Sequence, residues 1–288
     1  MQQANKIPRD AILSKMKHEI SKGIPIIISG AGVGIVGRVI EKSGADMAVV
    51  YNSGYFRMNG HSSILGNLPV GDANQIVYEM GRDLILPVTH ELPVAAGVFC
   101  VDPTRNMDRF LDSLGELGYS GVINYPTVGK FSGKFRQEIE SVDLGYRREA
   151  AVMKLAHDKG FLTIGYVYTE EEARIMVQSG VDILAAHAGL TSGGDIGATC
   201  ACSLEESIAH THKVLSAGLD ENPDIIPLCH GGAITGAADF EKVFQQTCAL
   251  GFIGASSMER IPVENAIRQT VLDFKSIRRK MHLGKGNL

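Results

Sequence analysis

The sequence predicts a (β/α)8 TIM barrel with an extra N-terminal helix. Three observations carry that expectation. Short apolar runs recur eight times along the chain, with amphipathic segments between them. The runs are nearly continuous in apolar character rather than alternating, as parallel strands covered on both faces are. Helix start and stop residues fall between them. One barrel of this kind accounts for residues 1–288 as a single domain.

The elements follow in order. A helix from Asp10 to Ser21 precedes the first strand and is placed to plug the barrel's N-terminal end. The strands are expected at 24–28, 47–51, 94–99, 121–124, 162–166, 183–186, 225–228 and 252–254. Between them Met107, Phe110, Leu111 and Leu114 line one helical face, Phe240, Val243 and Phe244 a second, and Ile267, Val271 and Phe274 a third. Thr169 before three glutamates and Ser203 before Leu-Glu-Glu are N-caps. Gly118, Gly160, Gly180 and Gly251 are expected to stop helices before the next strand. Three post-strand segments, 52–71, 125–143 and 188–202, are long for the fold and lie on the face where barrel enzymes place their active sites. The competing fold is a doubly wound nucleotide-binding domain, because Gly32, Gly34 and Gly37 match G-x-G-x-x-G after a strand. The second strand, however, ends at Asn52 and not at the acid that would hold a ribose. The glycines read instead as a tight turn.

Composition narrows the function classes. The chain is 44% hydrophobic, with a net charge of -4, which leaves no basic footprint for nucleic acid. Five scattered cysteines exclude a disulfide scaffold. The basic run Arg278-Arg279-Lys280 reads as a solvated helix end. No apolar run reaches the roughly 20 residues of a membrane span, and the first residues lack the apolar stretch of a signal peptide. A cytoplasmic protein that binds neither nucleic acid nor membrane is expected.

The strongest site signal is late. The seventh strand runs into His230-Gly231-Gly232 and the eighth into Gly254-Ala255-Ser256-Ser257. Barrels often bind phosphate on the loops after these two strands, where glycines let backbone N–H groups approach closely and hydroxyls add donors. The same glycines could simply make tight turns. A ring of polar strand-end residues supports a site at the same mouth: Ser29, Asn52, Asp102, Asn124, Tyr166, His187 and His230, with Glu259 and Arg260 just beyond. Asp102 and Glu259 are candidate carboxylates for a divalent metal or a general base, with Asp102 the expected metal ligand and Mg2+ the expected ion. His187 and His230 suit proton transfer or charge stabilisation. Asn52, Asn124 and Tyr166 are candidates to orient a substrate. No lysine falls at a strand end; Lys130 and Lys134 lie in the long segment after the fourth strand, so a Schiff-base route is not expected. Cys200-x-Cys202 has the wrong spacing for a zinc knuckle. Arg57 and His61 could close on an anion or face solvent.

Longer motifs carry a family resemblance. Gly71-Asp72-Ala73-Asn74, Val122 to Gly129 (VINYPTVG), Gly189 to Gly194 (GLTSGG), His230-Gly231-Gly232 and Gly254 to Arg260 (GASSMER) together resemble the phosphoenolpyruvate hydrolase-like TIM-barrel family. Its members are also described as TIM-barrel signal transduction proteins, and a related barrel forms the C-terminal part of a plant antiviral resistance protein. The resemblance covers nearly the whole chain. It implies the barrel and a distant relation to enzymes acting on phosphoenolpyruvate-like or phosphonopyruvate-like acids. The Lys-Cys-Gly-His type of loop expected of the mutase and lyase relatives is missing here.

Two functional readings follow. The first is an enzyme on a small phosphorylated or carboxylated acid, by metal-assisted hydrolysis or by C–C/C–P lyase chemistry. Gly231, Gly232, Gly254, Ala255, Ser256 and Ser257 would hold the anion; Asp102, His187, His230 and Glu259 would be catalytic. The second is a non-catalytic barrel that senses a small anion and signals through a protein partner. A homo-oligomer is expected in either case, because the segment Ile64 to Val70 is apolar for an exposed loop.

Overall fold

The structure is a computed structural model and describes residues 6–199 and 202–278. Eight parallel strands close in sequence order into a barrel. They are β1 (Ile26–Gly30), β2 (Met47–Val50), β3 (Val94–Val98), β4 (Gly121–Asn124), β5 (Leu162–Val167), β6 (Ile183–His187), β7 (Ile226–His230) and β8 (Gly251–Gly254). β8 pairs back onto β1, with Ile28 opposite Ile253. The helices are α1 (Arg9–Ser21), α2 (Gly34–Lys42), α3 (Asn52–Met58), α4 (Ala73–Met80), α5 (Met107–Leu117), α6 (Gly133–Ser141), α7 (Tyr146–Asp158), α8 (Glu170–Gln178), α9 (Leu204–Glu221), α10 (Ala237–Gln246) and α11 (Arg260–Ser276). Cys200, Arg279 and Lys280 lie outside the described residues.

Side chains alternate between two cores, because successive strand residues point to opposite faces. Ile26, Ile28, Met47, Val49, Ala95, Ile123, Leu162, Ile164, Ile183, Ala185, Ile226, Leu228 and Ile253 fill the barrel interior. Val50, Ala96, Val98, Val122, Val167, Ala186, Cys229 and Phe252 belong to the outer layer beneath the helices. α1 closes the bottom as expected: its buried Ile12 and Met16 join the interior cluster. Arg9 fixes this plug to the barrel through an ion pair with Asp182.

The caps mostly hold. Thr169 and Ser203 accept from the backbones of Glu172 and Glu206, Ser203 within a reciprocal capping box. Gly118, Gly160 and Gly180 follow helices with positive φ. Gly251 does not cap a helix. α10 ends at Gln246 with Thr247 after it, and Gly251 opens β8, where an added Cβ would meet the Ile26 carbonyl. Two of the expected long loops are partly helical. The segment 52–71 contains α3 and a 3₁₀ turn, Ser63–Asn67; the segment 125–143 contains the 3₁₀ turn Val128–Lys130 and α6. α11 forms over the expected Ile267 stripe, but that stripe faces outward rather than into a core.

Candidate active site

The inward period runs to the ends of the strands, and past them in β2, β4 and β8, and builds the floor of a cavity at the C-terminal mouth. Two residues beyond the last interior positions of β2, β4, β5, β6, β7 and β8 stand Tyr51, Tyr125, Tyr166, His187, His230 and Ala255. All six line one small cavity of about 30 Å³. Its walls come from α3 (Ser53, Arg57), the turn after it (Ser63), the 3₁₀ turn Lys130 closes, the β6 loop (Gly189, Leu190, Thr191) and Ser256 after β8.

The floor is a packed aromatic cluster. The hydroxyls of Tyr51 and Tyr166 lie 2.6 Å apart. Tyr166 packs beside both histidines, with ring centroids 5.1 Å from His187 and 5.0 Å from His230. The two imidazoles are 4.4 Å apart at their centroids. Their hydrogen bonds fix opposite tautomers. His230 Nδ1 lies 2.6 Å from the Ile253 carbonyl, which can only accept, so Nδ1 carries the proton and Nε2 a lone pair. His187 Nδ1 is 3.0 Å from the Gly189 N–H, which can only donate, so in neutral His187 the proton is on Nε2. Burial holds both rings neutral: it depresses His230 to about 4, and burial together with the neighbouring His230 and Lys130 pushes His187 well below its ordinary value. One ring therefore offers a donor and the other an acceptor.

The walls carry two basic side chains, Arg57 and Lys130. Arg57 is buried and held by Glu259 through both Nε (2.8 Å) and Nη2, while its Nη1 donates to Ser63 at 3.0 Å. Glu259 also accepts from the Gly32 N–H at 2.7 Å. It is spent on fixing Arg57 and does not line the cavity. Lys130 has no ion-pair partner among the described residues, and burial lowers it to about 8. Its turn is held from below. Glu149, fully buried, accepts from the Val128 N–H (2.6 Å) and the Thr127 hydroxyl (2.7 Å), and Arg136 donates to the Val128 carbonyl at 3.0 Å.

The other expected residues lie elsewhere. Asn52 and Asn124 follow the outward period. Asn52 donates to the Gly66 carbonyl. Asn124 donates to Glu149 and accepts from the Tyr166 N–H. Gly231 and Gly232, both with positive φ, bring the β6 and β7 loops together, and the Gly232 N–H donates to the Gly189 carbonyl. Gly254 and Ser257 do not line the cavity; a Cβ at Gly254 would meet the side chains of Met258, Phe252 and Ser257. His61 is exposed. Asp102 borders a separate cleft with Phe99, Pro126 and Phe135. Its oxygens accept from Asn74, from the backbone and hydroxyl of Thr104, and lie near Arg105. Burial alone would raise it, but these donors outweigh burial and hold it below the usual carboxylate range.

The donor set does not fit a divalent cation. The described residues lining the cavity include two histidines, an arginine and a lysine but no carboxylate. Among the described residues no group of three or more His, Cys, Asp or Glu is disposed to hold a metal. Hard cations prefer carboxylate and carbonyl oxygens; this wall suits an anion.

The family described as phosphoenolpyruvate hydrolase-like matches residues 11–277. The chain is 49% identical over 270 residues to the ToMV susceptible protein tm-1 and 48% identical to the ToMV resistance protein Tm-1, both of Solanum lycopersicum, covering 93% of this chain and 36% of each relative. The chain thus spans about a third of the length of these relatives. Among solved structures it resembles 2,3-dimethylmalate lyase, a PEP mutase/isocitrate lyase superfamily member, at 14% identity and a TM-score of 0.60, covering 96% of this chain and 93% of that one. It also resembles a phosphonopyruvate hydrolase complex with oxalate and Mg2+, at 13% identity and a TM-score of 0.58, covering 93% and 87%. At such identities the likeness is one of fold. Among the described residues no helix is long and apolar enough to cross a membrane.

Proposed function

The chain belongs to the phosphoenolpyruvate hydrolase-like family, and from that premise we propose that it is an enzyme acting on a small phosphoenolpyruvate-like acid, by hydrolysis or by C–C/C–P bond cleavage. The observation that carries the reading is the cavity wall: Arg57, Lys130, His187 and His230 converge on one volume without a carboxylate among them. Arg57 is already paired with Glu259 and both imidazoles are neutral, so the charge an anionic substrate supplies is the partner that Lys130 lacks among the described residues. The hydroxyls of Ser53, Ser63, Thr191 and Ser256 add donors for its oxygens. The Mg2+ of the phosphonopyruvate hydrolase complex is a property of that protein. Here the charge-neutralising part falls to Lys130, with the hydrogen-bond donors of Arg57 and His187 beside it, and no step runs through a metal.

The histidine pair supplies polarity and a proton acceptor. His187 Nε2–H is placed to donate to a substrate carbonyl or enolate oxygen and so to stabilise charge as it develops. His187 gives up no proton, because deprotonating neutral imidazole would leave an imidazolate. His230 Nε2 is the proton acceptor. A bound anion beside it raises its basicity from the value of about 4 set by burial.

Thermal shift with oxalate, phosphoenolpyruvate and phosphate, each with and without Mg2+, is the first test. A ligand that binds only the folded state at a hundred times its Kd adds about 2.7 kcal/mol of stability. Stabilisation by oxalate or phosphoenolpyruvate without Mg2+ is expected; stabilisation only with Mg2+ would restore the metal. Turnover is then read as pyruvate or phosphate release from phosphoenolpyruvate, phosphonopyruvate and oxaloacetate. His230→Asn is expected to lower kcat by about 10²–10⁴ with the fold intact. Binding without turnover of any of these would leave an anion sensor instead of an enzyme.

A further inference from the structure

Lys130 enters the reading above only as a cation, and its amine chemistry is left unused. The sequence sets lysines aside because none stands at a strand end. The structure brings this one back over the mouth on the 3₁₀ turn Val128–Lys130, six residues beyond the last outward contact of β4 made by Asn124 onto Glu149. That turn is fastened at four points: Glu149 to the Val128 N–H and to the Thr127 hydroxyl, that hydroxyl to the Gly129 N–H at 3.0 Å, and Arg136 to the Val128 carbonyl. A surface lysine needs no such footing. The side chain is mostly buried and has no acidic partner among the described residues. It shares its cavity with an imidazole acceptor, an imidazole donor and a fixed arginine.

We propose that Lys130 is a covalent catalytic amine that forms an iminium with the C2 carbonyl of a 2-oxo acid bearing a second anionic group on C3. The proposal rests on the enzyme reading and narrows its substrate class from enol phosphates to 2-oxo acids. Desolvation favours the free amine, in keeping with a nucleophilic role.

The chemistry balances with the groups present. The Lys130 ammonium gives one proton to His230 Nε2, and the freed Nζ lone pair forms a bond to C2 while the carbonyl π pair moves to oxygen. His187 Nε2–H hydrogen-bonds that oxyanion. A second proton passes from nitrogen to the oxygen. His230 then returns the first proton to the hydroxyl, which departs as water, and the C=N bond forms with the nitrogen keeping its third hydrogen. The bond from C3 to its carboxylate or phosphonate group then breaks, and its electron pair flows through C2 to the nitrogen, giving an enamine. A lost carboxylate leaves as CO2; a phosphonate leaves by transfer of its phosphoryl group to water. Protonation at C3 and addition of water to the iminium release the shortened 2-oxo acid and regenerate the amine. No oxidant or reductant is consumed.

The test is reductive trapping. The whole chain is incubated with pyruvate, or with oxaloacetate, in the presence of sodium cyanoborohydride, then digested and mapped by mass spectrometry. A reduced adduct on Lys130, dependent on the oxo acid and blocked by oxalate, is expected. Lys130→Arg should retain the melting temperature and the oxalate shift within twofold in affinity, yet lose the adduct and at least a hundredfold in oxaloacetate cleavage. Lys134→Arg, on the exposed face of α6, should change neither. An unmodified Lys130, or labelling spread equally over surface lysines, would overturn the covalent step. If oxalate still stabilises the protein in that case, the anion-site reading stands without it. If oxalate binding and turnover are absent as well, both fall together.

Discussion

At the scale of single residues the site depends on two buried carboxylates that do not line the cavity. Glu259 and Arg57 are 0% and 2% exposed at their side chains. Removing one partner of such a pair strands a charge, at a cost of about 3–5 kcal/mol. Glu259→Gln should therefore lower stability by about 3 kcal/mol in urea unfolding, and the double variant Arg57→Met, Glu259→Gln should lose less than the sum of the two single variants. Additive losses would mean the pair is not coupled. Glu149 works by another route. Burial raises it to about 7 against the three hydrogen bonds it accepts. Its folded value lies above its unfolded one, so the folded state binds the extra proton between about 4.5 and 7. The stabilisation is full below that window and is lost as pH rises through it. Glu149→Gln should flatten the fall in stability between pH 5 and 7, while costing about 1–3 kcal/mol at pH 5 through the lost acceptor. An unchanged slope would show that Glu149 does not titrate there. Which residues could be picked out in advance follows from parity. His187, His230 and Tyr166 were legible because they are polar and fall on the inward period. Tyr51 and Tyr125 share that period but look like ordinary aromatic core. Asn52 and Asn124 are polar strand ends on the outward period, and simple adjacency to a strand did not separate them. Arg57 and Lys130 sit on short helical turns inside segments that look like loops, and no local pattern places their tips.

At the scale of elements, the eight strands and the plug helix were readable because burial on both faces writes a continuous apolar run that few other elements can carry. The connections were harder. A three-residue 3₁₀ turn or a seven-residue helix such as α3 has too few positions to show a period. Glycines there record close approaches that become visible only in three dimensions. Gly231 shows this. Its φ is +77, and an added Cβ would run into the Gly189 carbonyl and sit 3.3 Å from the His187 ring. Gly160 has a similar φ of +75 with nothing within 4 Å. Both alanine variants carry the left-handed strain of about 1–2 kcal/mol. Gly231→Ala adds a clash and should reach about 3 kcal/mol in denaturant unfolding. It should also displace His187 and reduce oxalate binding, which Gly160→Ala should leave unchanged. Equal costs for the two, or a Gly231→Ala protein that binds oxalate normally, would mean that the β6 and β7 loops relax independently of the site.

At the scale of the whole molecule, the unresolved tension is α11. Of its 17 residues only Arg260 is buried, where it donates to the Gly193 carbonyl and anchors the β6 loop over the mouth. The rest of the helix exposes Ile267 at 60%, Val271 at 52% and Phe274 at 73%, a stripe at the spacing of one helical face. Elsewhere α2 exposes Ile35 at 67%, and the segment after α3 exposes Leu68 and Val70. A helix gains most of its stability in a protein from packing an apolar face, and among the described residues this stripe has no such packing. A second copy of the chain offers the same stripe, and two-fold pairing is the commonest way to cover a self-complementary patch. The protein should therefore run as a homo-oligomer in light scattering at micromolar concentration, with a melting temperature that rises with concentration. Ile267→Asp with Phe274→Asp should shift it toward the monomer. Because Arg260 ties the same helix to the β6 loop, the shift should carry a loss of oxalate affinity. A monomeric parent protein would remove the oligomer. A variant that becomes monomeric yet binds oxalate with unchanged affinity would separate assembly from the site.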